Sequence, residues 1–148
     1  MKNYNNSIRH LLILLTGVLM LAASFSSVYA NQPHKLVIQV SSDDPQTQTI
    51  ALNNAVNVQK HYGMDNVMVE IVAYGPGLTL LTAQSKQKSR VESLAMQDIT
   101  FSACGNTMSK MEKKSGKKVV LAEGVTVVPA GVVRIMELQE QGYAYLRP

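Results

Sequence analysis

The residues best suited to chemistry in this chain are a cysteine and its neighbours, in the stretch FSACGNTM at 101–108. Cys104 is the only cysteine among 148 residues, so it has no disulfide partner within its own chain. A thiolate is a good nucleophile, and it can hold a second sulfur atom as a persulfide. A free cysteine is also often a small buried core residue. A structural role and a sulfur-chemistry role for Cys104 are therefore both open.

The residues after Cys104 predict the start of a helix. Asn106 is expected to cap a short helix that Gly116 ends, and Gly105 carries no side chain that would shield the sulfur. The unpaired N–H groups at a helix start favour an anion, so we expect Cys104 to have a lowered pKa. Burial against an apolar strand would act in the opposite direction.

These residues lie in a chain that alternates β-rich runs with helical patterns, as parallel α/β sheets do. KLVIQV, VMVEIVAY and ITFSA read as three buried strands, and the last two strands are shorter and less clearly bounded. Apolar residues at helical spacing fill the intervals, and Gly63 is expected to end the first helix. The predicted strands are 35–40, 67–74, 99–103, one within 119–128, and 143–146.

In a parallel sheet the loops that follow the strands lie at one edge, where open α/β folds bind their ligands. Four loops are expected to converge there, at 41–46, 75–77, 104–106 and 129–131. Glycines in such loops permit tight turns and close approach of the backbone to a ligand. Besides Cys104, the candidate ligand residues are Asp43, Gly75, Gly77, Gly105 and Asn106.

The first thirty residues have the pattern of a secretory signal peptide. Basic residues precede an apolar run of about 13 residues, short of the ~20 that a membrane-spanning helix needs. Val28-Tyr29-Ala30 then supplies small residues at the positions that signal peptidase reads, which predicts cleavage after Ala30. We expect a periplasmic protein without a stable membrane anchor.

Removal of 30 residues from 148 leaves 118, enough for one domain at 31–148. The leader carries two of the 14 Lys and Arg residues and none of the 10 Asp and Glu, so the net charge falls from +4 to +2. That balance and the absence of tryptophan give no support to nucleic-acid binding.

Three segments of the chain resemble the DsrE/DsrF-like family of small sulfur-relay proteins. They are YGPG, FSACGNTM and VVPAGVVRIMELQEQGYAYL, and the likeness covers essentially the whole mature chain. The resemblance implies a flavodoxin-like α/β fold with three layers, assembly into trimers or hexamers, and, in relay members, a persulfide cysteine at the position of Cys104. The implied partners are a sulfur donor or acceptor protein or a small sulfur compound. The signal peptide departs from the best understood relatives, which work in the cytoplasm, so the pathway does not carry over.

Two other functions fit the residues. Cys104, Met108 and Met111 are spaced at +4 and +3, so a continuous helix would present three soft sulfur ligands for copper(I) on one face. Methionines at that spacing are more often core residues, and a helix that begins at Asn106 would break the face. The remaining alternative is a module that binds a partner or small ligand, in which the cysteine has no chemical role.

The sequence lacks the motifs of other chemistries. SSDDPQTQT follows the first predicted strand without a glycine and with two carboxylates, so flavin phosphate binding is not expected and no cofactor is predicted. Asp43 and Asp44 beside Pro45 are expected to form a turn and cap the following helix. His34 and His61 lie away from the loop edge, which leaves Cys104 without an evident histidine base.

Overall fold

Five parallel strands form the sheet, as the sequence pattern predicts. The computed structural model describes residues 32–148, so the predicted signal peptide and its cleavage site after Ala30 lie outside the described residues. The strands pair in the order β4-β3-β2-β1-β5. None of the helices in this part of the chain is long and apolar enough to cross a membrane. The strand bounds are β1 His34–Val40, β2 Val67–Ala73, β3 Ile99–Cys104, β4 Val125–Val128 and β5 Ala144–Leu146.

Four α-helices connect the strands, with caps that the sequence largely predicts. The Asp44 carboxylate accepts a hydrogen bond of 2.7 Å from the Thr47 N–H at the start of the first helix. Gly63 and Gly116 end the first and third helices with φ of 86° and 69°, values that few residues except glycine adopt. The helices are α1 Pro45–Tyr62, α2 Lys88–Ala95, α3 Gly105–Ser115 and α4 Gly131–Glu140, with 3₁₀ segments at Met64–Asn66 and Gly75–Leu81.

The sheet has helices on both faces, which gives three layers. Right-handed crossovers carry the chain from β1 to β4 in one direction and then back past β1 to β5. The return crossover must lie on the opposite face, and α4 packs there across β1, β2 and β3. The main core, around Phe101 and Ile38, lies between the sheet and α1, α2 and α3. A smaller core of Val37, Val72, Ile135 and Leu138 lies under α4.

Two predicted elements differ from the structure. Residues 119–121 do not belong to the sheet, because the Val120 carbonyl accepts from the Ala83 N–H and Leu121 forms an antiparallel bridge with Thr82. The chain turns at Gly124, with φ of 77°, before β4 begins at Val125. The interval after β2, for which helical spacing was expected, begins with the 3₁₀ segment that contains Leu78, Leu80 and Leu81.

Candidate functional site

Cys104 is the last residue of β3 and the N-cap of α3. Its backbone is extended, with φ of −72° and ψ of 113°, and only 5% of the residue is exposed. The parallel register pairs it with Val128, the last residue of β4. The cysteine therefore lies at the carboxyl edge of the sheet, as the sequence predicts.

The start of α4 meets the start of α3 at this cysteine. A Cβ built on Gly131 would lie 3.3 Å from the Cys104 Cβ and 3.1 Å from the Tyr74 Cβ. The absence of a side chain at Gly131 thus lets the α4 backbone approach the sulfur closely. Two helix N-termini, each with unpaired N–H groups and a partial positive charge, converge on one thiol.

Donor groups at the two helix starts outweigh the cost of burying the thiol. Burial raises the pKa of Cys104, but hydrogen bonds from the Thr107 hydroxyl and from the N–H groups of Gly131, Thr107 and Asn106 lower it. The net effect is a Cys104 pKa below the ordinary thiol value. All four groups that lower the pKa of Cys104 are neutral hydrogen-bond donors, and none is a charged side chain. The site thus favours a thiolate through preorganised donors.

Thr107 is a site residue that the sequence reading missed. Its Oγ1 accepts a 3.0 Å hydrogen bond from the Gly75 N–H, and its hydroxyl lowers the pKa of Cys104. The hydroxyl therefore connects the loop after β2 to Cys104. A hydroxyl residue three positions after a helix-starting cysteine is the signal that would have indicated it. Gly131 was also missed as an individual residue, although its loop was expected at this edge.

The other predicted glycines have backbone roles around the site. Gly75 has φ of 54° and supplies the N–H that Thr107 accepts. A Cβ on Gly77 would collide with the Val40 carbonyl oxygen, so this glycine lets the 3₁₀ segment pack on the end of β1. A Cβ on Gly105 would lie 3.3 Å from the Val128 carbonyl oxygen, which brings α3 close to the end of β4.

Asn106 does not cap α3, contrary to the sequence prediction. The N-cap lies two residues earlier, at Cys104, and the helix begins at Gly105. The Asn106 side chain is exposed, and its N–H donates to the Pro129 carbonyl at 3.2 Å. This hydrogen bond joins α3 to the loop that leads into α4. Asn106 therefore affects the pKa of Cys104 through its backbone and not through its side chain.

Asp43 lies apart from the cysteine. It follows β1, which is two strands from β3 and therefore about 10 Å away across the sheet. Asp43 lines a pocket of about 370 Å³ together with Gln48, Thr79 and Lys86. The structure does not place it among the groups that act on the Cys104 sulfur.

Met108 and Met111 act as core residues. Both are partly buried and pack against the main hydrophobic core. Cys104 caps the helix from outside its first turn, with its Cβ beside Gly131. The structure thus employs the two thioethers in packing, and it offers no support for a three-sulfur copper site. Within residues 32–148, no three His, Cys, Asp or Glu side chains are grouped so that they could hold a metal ion.

A basic pocket adjoins the site through Thr107. Its volume is about 470 Å³. A second pocket of about 760 Å³ shares Thr79, Met111 and Lys114 with it and adds Lys117 and Lys118. Lysines of α3 and of the segment that follows it thus line both pockets. The first pocket is lined by Tyr74, Gly75, Pro76, Thr79, Thr107, Lys110, Met111 and Lys114.

The two histidines near the predicted strand start and helix end lie at the other edge of the sheet. His34 begins β1 and stacks on Tyr62 with ring centroids 3.8 Å apart, and His61 meets the same tyrosine edge-on. Cys104 ends β3 at the opposite edge. Neither histidine is placed to act as a base for the cysteine.

The fold and site define a class: a flavodoxin-like α/β domain whose single cysteine is held, nearly buried, at two helix N-termini. A model of the DsrE/DsrF-like family matches residues 34–148, and the chain belongs to this family, which is associated with sulfur relay. The resemblance noted in the sequence is thereby confirmed.

A solved structure supports the same fold. The chain is similar to MTH1491, a protein of unknown function from Methanobacterium thermoautotrophicum, with 31% sequence identity and a TM-score of 0.70. The match covers 78% of this chain and 99% of that protein. No curated protein is significantly similar to the chain.

Proposed function

We propose that this protein is an exported sulfur carrier, or sulfurtransferase, that accepts a sulfane sulfur on Cys104 as a persulfide. The observation that carries the proposal is the convergence of the α3 and α4 starts on one thiol whose pKa is lowered despite its burial. A cysteine with only a packing role would have no need of a hydroxyl and backbone donors around its sulfur. Membership of a family associated with sulfur relay agrees with this chemistry.

The transfer step requires only a thiolate and a persulfide donor. The Cys104 thiolate attacks the outer sulfur of a donor R–S–S⁻, and a new S–S bond forms as the donor's S–S bond breaks. The donor leaves as the thiolate R–S⁻, and Cys104 holds –S–S⁻. The sulfane sulfur moves between two thiolates, so no external oxidant or reductant is consumed. The hydrogen-bonding groups that lower the pKa of Cys104 stabilise its thiolate, which is the form that attacks the persulfide.

The surroundings of the site suit an anionic sulfur donor. Thr107 both lines the basic pocket of about 470 Å³ and acts on the Cys104 sulfur. Lys110 and Lys114, one turn apart on α3, lie along the same pocket. Positive charge at a concave approach raises the local concentration of anions. A persulfide anion, on a small compound or on a partner protein, is a ligand of this kind.

The direct test is loading of sulfur on the purified protein. Wild type is incubated with a persulfide donor, and its intact mass is measured before and after treatment with a thiol reductant. We expect the gain of one sulfur atom that the reductant removes, and no gain in Cys104→Ser. Thr107→Ser, which keeps the hydroxyl, is the matched variant that should still load. A wild-type thiol that stays unmodified while folded would refute the carrier function and leave a binding module.

We also propose that the protein works in the periplasm after cleavage behind Ala30. The signal-peptide pattern of residues 1–30 supports this location. Amino-terminal sequencing of the exported protein should then find Asn31 first. An amino terminus at Met1 in the exported form would contradict cleavage.

Self-association into a trimer or hexamer is the third part of the proposal. Within residues 32–148, α4 is the one helix on its face of the sheet, and it exposes Val132, Val133 and Met136, each about half exposed. Met68 on β2 is exposed to a similar extent. Apolar side chains grouped around one helix are typical of surfaces that a second copy covers. Light scattering over a range of concentrations tests this, and a constant monomer mass would count against it.

A further inference from the structure

An ion pair with a buried carboxylate and a partly exposed arginine lies under α4, on the same face of the sheet as Cys104. The Glu70 carboxylate is on β2, the central strand, and only 3% of the residue is exposed. Arg134 of α4 donates to it through Nε and Nη2, both at 2.8 Å. Ser102 Oγ adds a third hydrogen bond, at 2.6 Å to Oε1. One carboxylate thus joins a helix and two strands.

The pair anchors the turn of α4 that reaches the cysteine. The backbone N–H of Arg134 donates to the Ala130 carbonyl at 3.0 Å, which is the first hydrogen bond of the helix. Arg134 and Gly131 therefore belong to the same turn. A bidentate arginine–carboxylate contact fixes both distance and direction. Ser102 lies two residues before Cys104 on β3 and therefore on the same face. The carboxylate consequently sets the position of the α4 start relative to the end of β3.

Stability alone does not account for an ion pair at this place. Taking the Glu70 carboxylate out of water costs free energy, and well-packed apolar residues often stabilise a core as much. The other partner of Arg134 is Glu137 on its own helix, at 3.7 Å and half exposed. That contact cannot place α4 against the sheet, so the geometric constraint comes from Glu70.

We propose that Arg134 and Glu70 are positioning residues for Cys104: their ion pair holds the first turn of α4 so that Gly131 packs directly against the cysteine. Neither residue is among the groups that act directly on the thiol. Their effect on the cysteine passes through the backbone of α4, because Arg134 and Gly131 lie at opposite ends of its first turn. The role rests on the proposed sulfur-carrier function for its purpose, but it concerns the thiol itself and can be measured without any sulfur donor.

The experiment is the pH dependence of Cys104 alkylation by iodoacetamide, in which the sole cysteine gives the whole signal. Arg134→Met and Glu70→Gln should raise the midpoint by about half a unit or more, which corresponds to about a threefold loss of thiolate at pH below the midpoint. Arg134→Lys keeps the positive charge but loses the planar guanidinium that can donate two parallel hydrogen bonds. Its alkylation midpoint should fall between those of wild type and Arg134→Met. The midpoint is compared rather than the rate, because a thiolate of higher pKa is also more nucleophilic.

Two controls separate positioning from general loss of stability. Glu137→Gln removes the partner of Arg134 that does not touch the sheet, and its midpoint should equal that of wild type. Val91→Ala opens a cavity under α2, away from α4, and should lower stability without moving the midpoint. If Arg134→Met does not fold, Glu70→Gln, which keeps the shape of the side chain, decides the matter.

The outcomes are distinct. Raised midpoints in the folded Arg134 and Glu70 variants, with both controls unchanged, support the positioning role. An unchanged midpoint in folded Glu70→Gln and Arg134→Met overturns it, as does an equal shift in Val91→Ala. Failure of the wild type to load sulfur would sink the carrier function and leave the measured midpoints as they are, so the two failures are distinguishable.

Discussion

Replacement of Thr107 by valine removes the one side-chain group that lowers the pKa of Cys104 and nearly preserves the volume of the residue. The hydroxyl lowers the pKa of the thiol and also accepts the Gly75 N–H at 3.0 Å. A hydrogen bond to a charged group is worth about 1.5–3 kcal/mol. One pKa unit corresponds to about 1.4 kcal/mol, so loss of the full bond would raise the pKa by about one to two units.

The lower end of that range is the better expectation. Three backbone N–H groups that also lower the pKa of Cys104, those of Gly131, Thr107 and Asn106, are unchanged by the substitution. Thr107 is also half-buried rather than enclosed, so water can replace part of the lost interaction. We therefore expect a rise of about one unit, equivalent to about tenfold less thiolate at a pH below the wild-type midpoint. The Gly75 N–H loses its acceptor as well, which should cost about 1 kcal/mol of folding stability.

The assay is alkylation of the single cysteine as a function of pH, with urea unfolding to report stability. Thr107→Ser is the matched control, because it keeps the hydroxyl and loses only a methyl group, and it should titrate as wild type does. Persulfide loading at pH 7 should fall in Thr107→Val and persist in Thr107→Ser. If folded Thr107→Val titrates with the wild-type midpoint, the hydroxyl does not stabilise the thiolate, and the account of the site is wrong.

Three further predictions concern pH, packing and assembly. The Cys104 pKa is lowered on folding, so its thiolate contributes stability that is fully present above the unfolded pKa of about 8.5 and is lost as pH falls through the folded pKa. The unfolding free energy of wild type relative to Cys104→Ala should therefore increase from pH 6 to pH 9, and a flat difference would contradict the lowered pKa. Gly77→Ala should cost about 3 kcal/mol or more in urea unfolding, because its Cβ would collide with the Val40 carbonyl oxygen, and a wild-type midpoint would disprove that contact. Met136→Glu should reduce the mass in light scattering without lowering monomer stability, since this side chain is more than half exposed, and an unchanged oligomer would place the interface elsewhere.

Local signals in the sequence were sufficient for the sheet and for most helix ends. Runs such as KLVIQV and VMVEIVAY are long enough and β-branched enough to be strands in any context. Asp44, Gly63 and Gly116 mark helix ends through interactions within a few residues, and the structure confirms all three. The parallel arrangement then places Cys104 at the carboxyl edge by topology.

Segments whose partners are distant in the chain could not be assigned in this way. Val120 belongs to an apolar run that favours a strand, yet its carbonyl accepts a hydrogen bond from the Ala83 N–H and it lies outside the sheet. Asn106 has the chemistry of a cap, but α3 starts at Gly105, where the backbone packs close to the end of β4. In both cases a tertiary contact outweighs a local preference.

The sequence by itself determined the fold class, the family likeness and the place of the only cysteine. Those depend on periodicity, on glycines at turns, and on the order of strands and helices, all of which are written along the chain. Only the tertiary structure decided what surrounds the sulfur. Gly131 is 27 positions from Cys104 in the sequence. The Arg134 guanidinium, which holds α4 on the sheet, bonds a carboxylate that is 64 positions away, that of Glu70. Hydrogen bonds of this kind depend on how a crossover helix lies on the sheet, and that position is set by packing rather than by neighbouring residues.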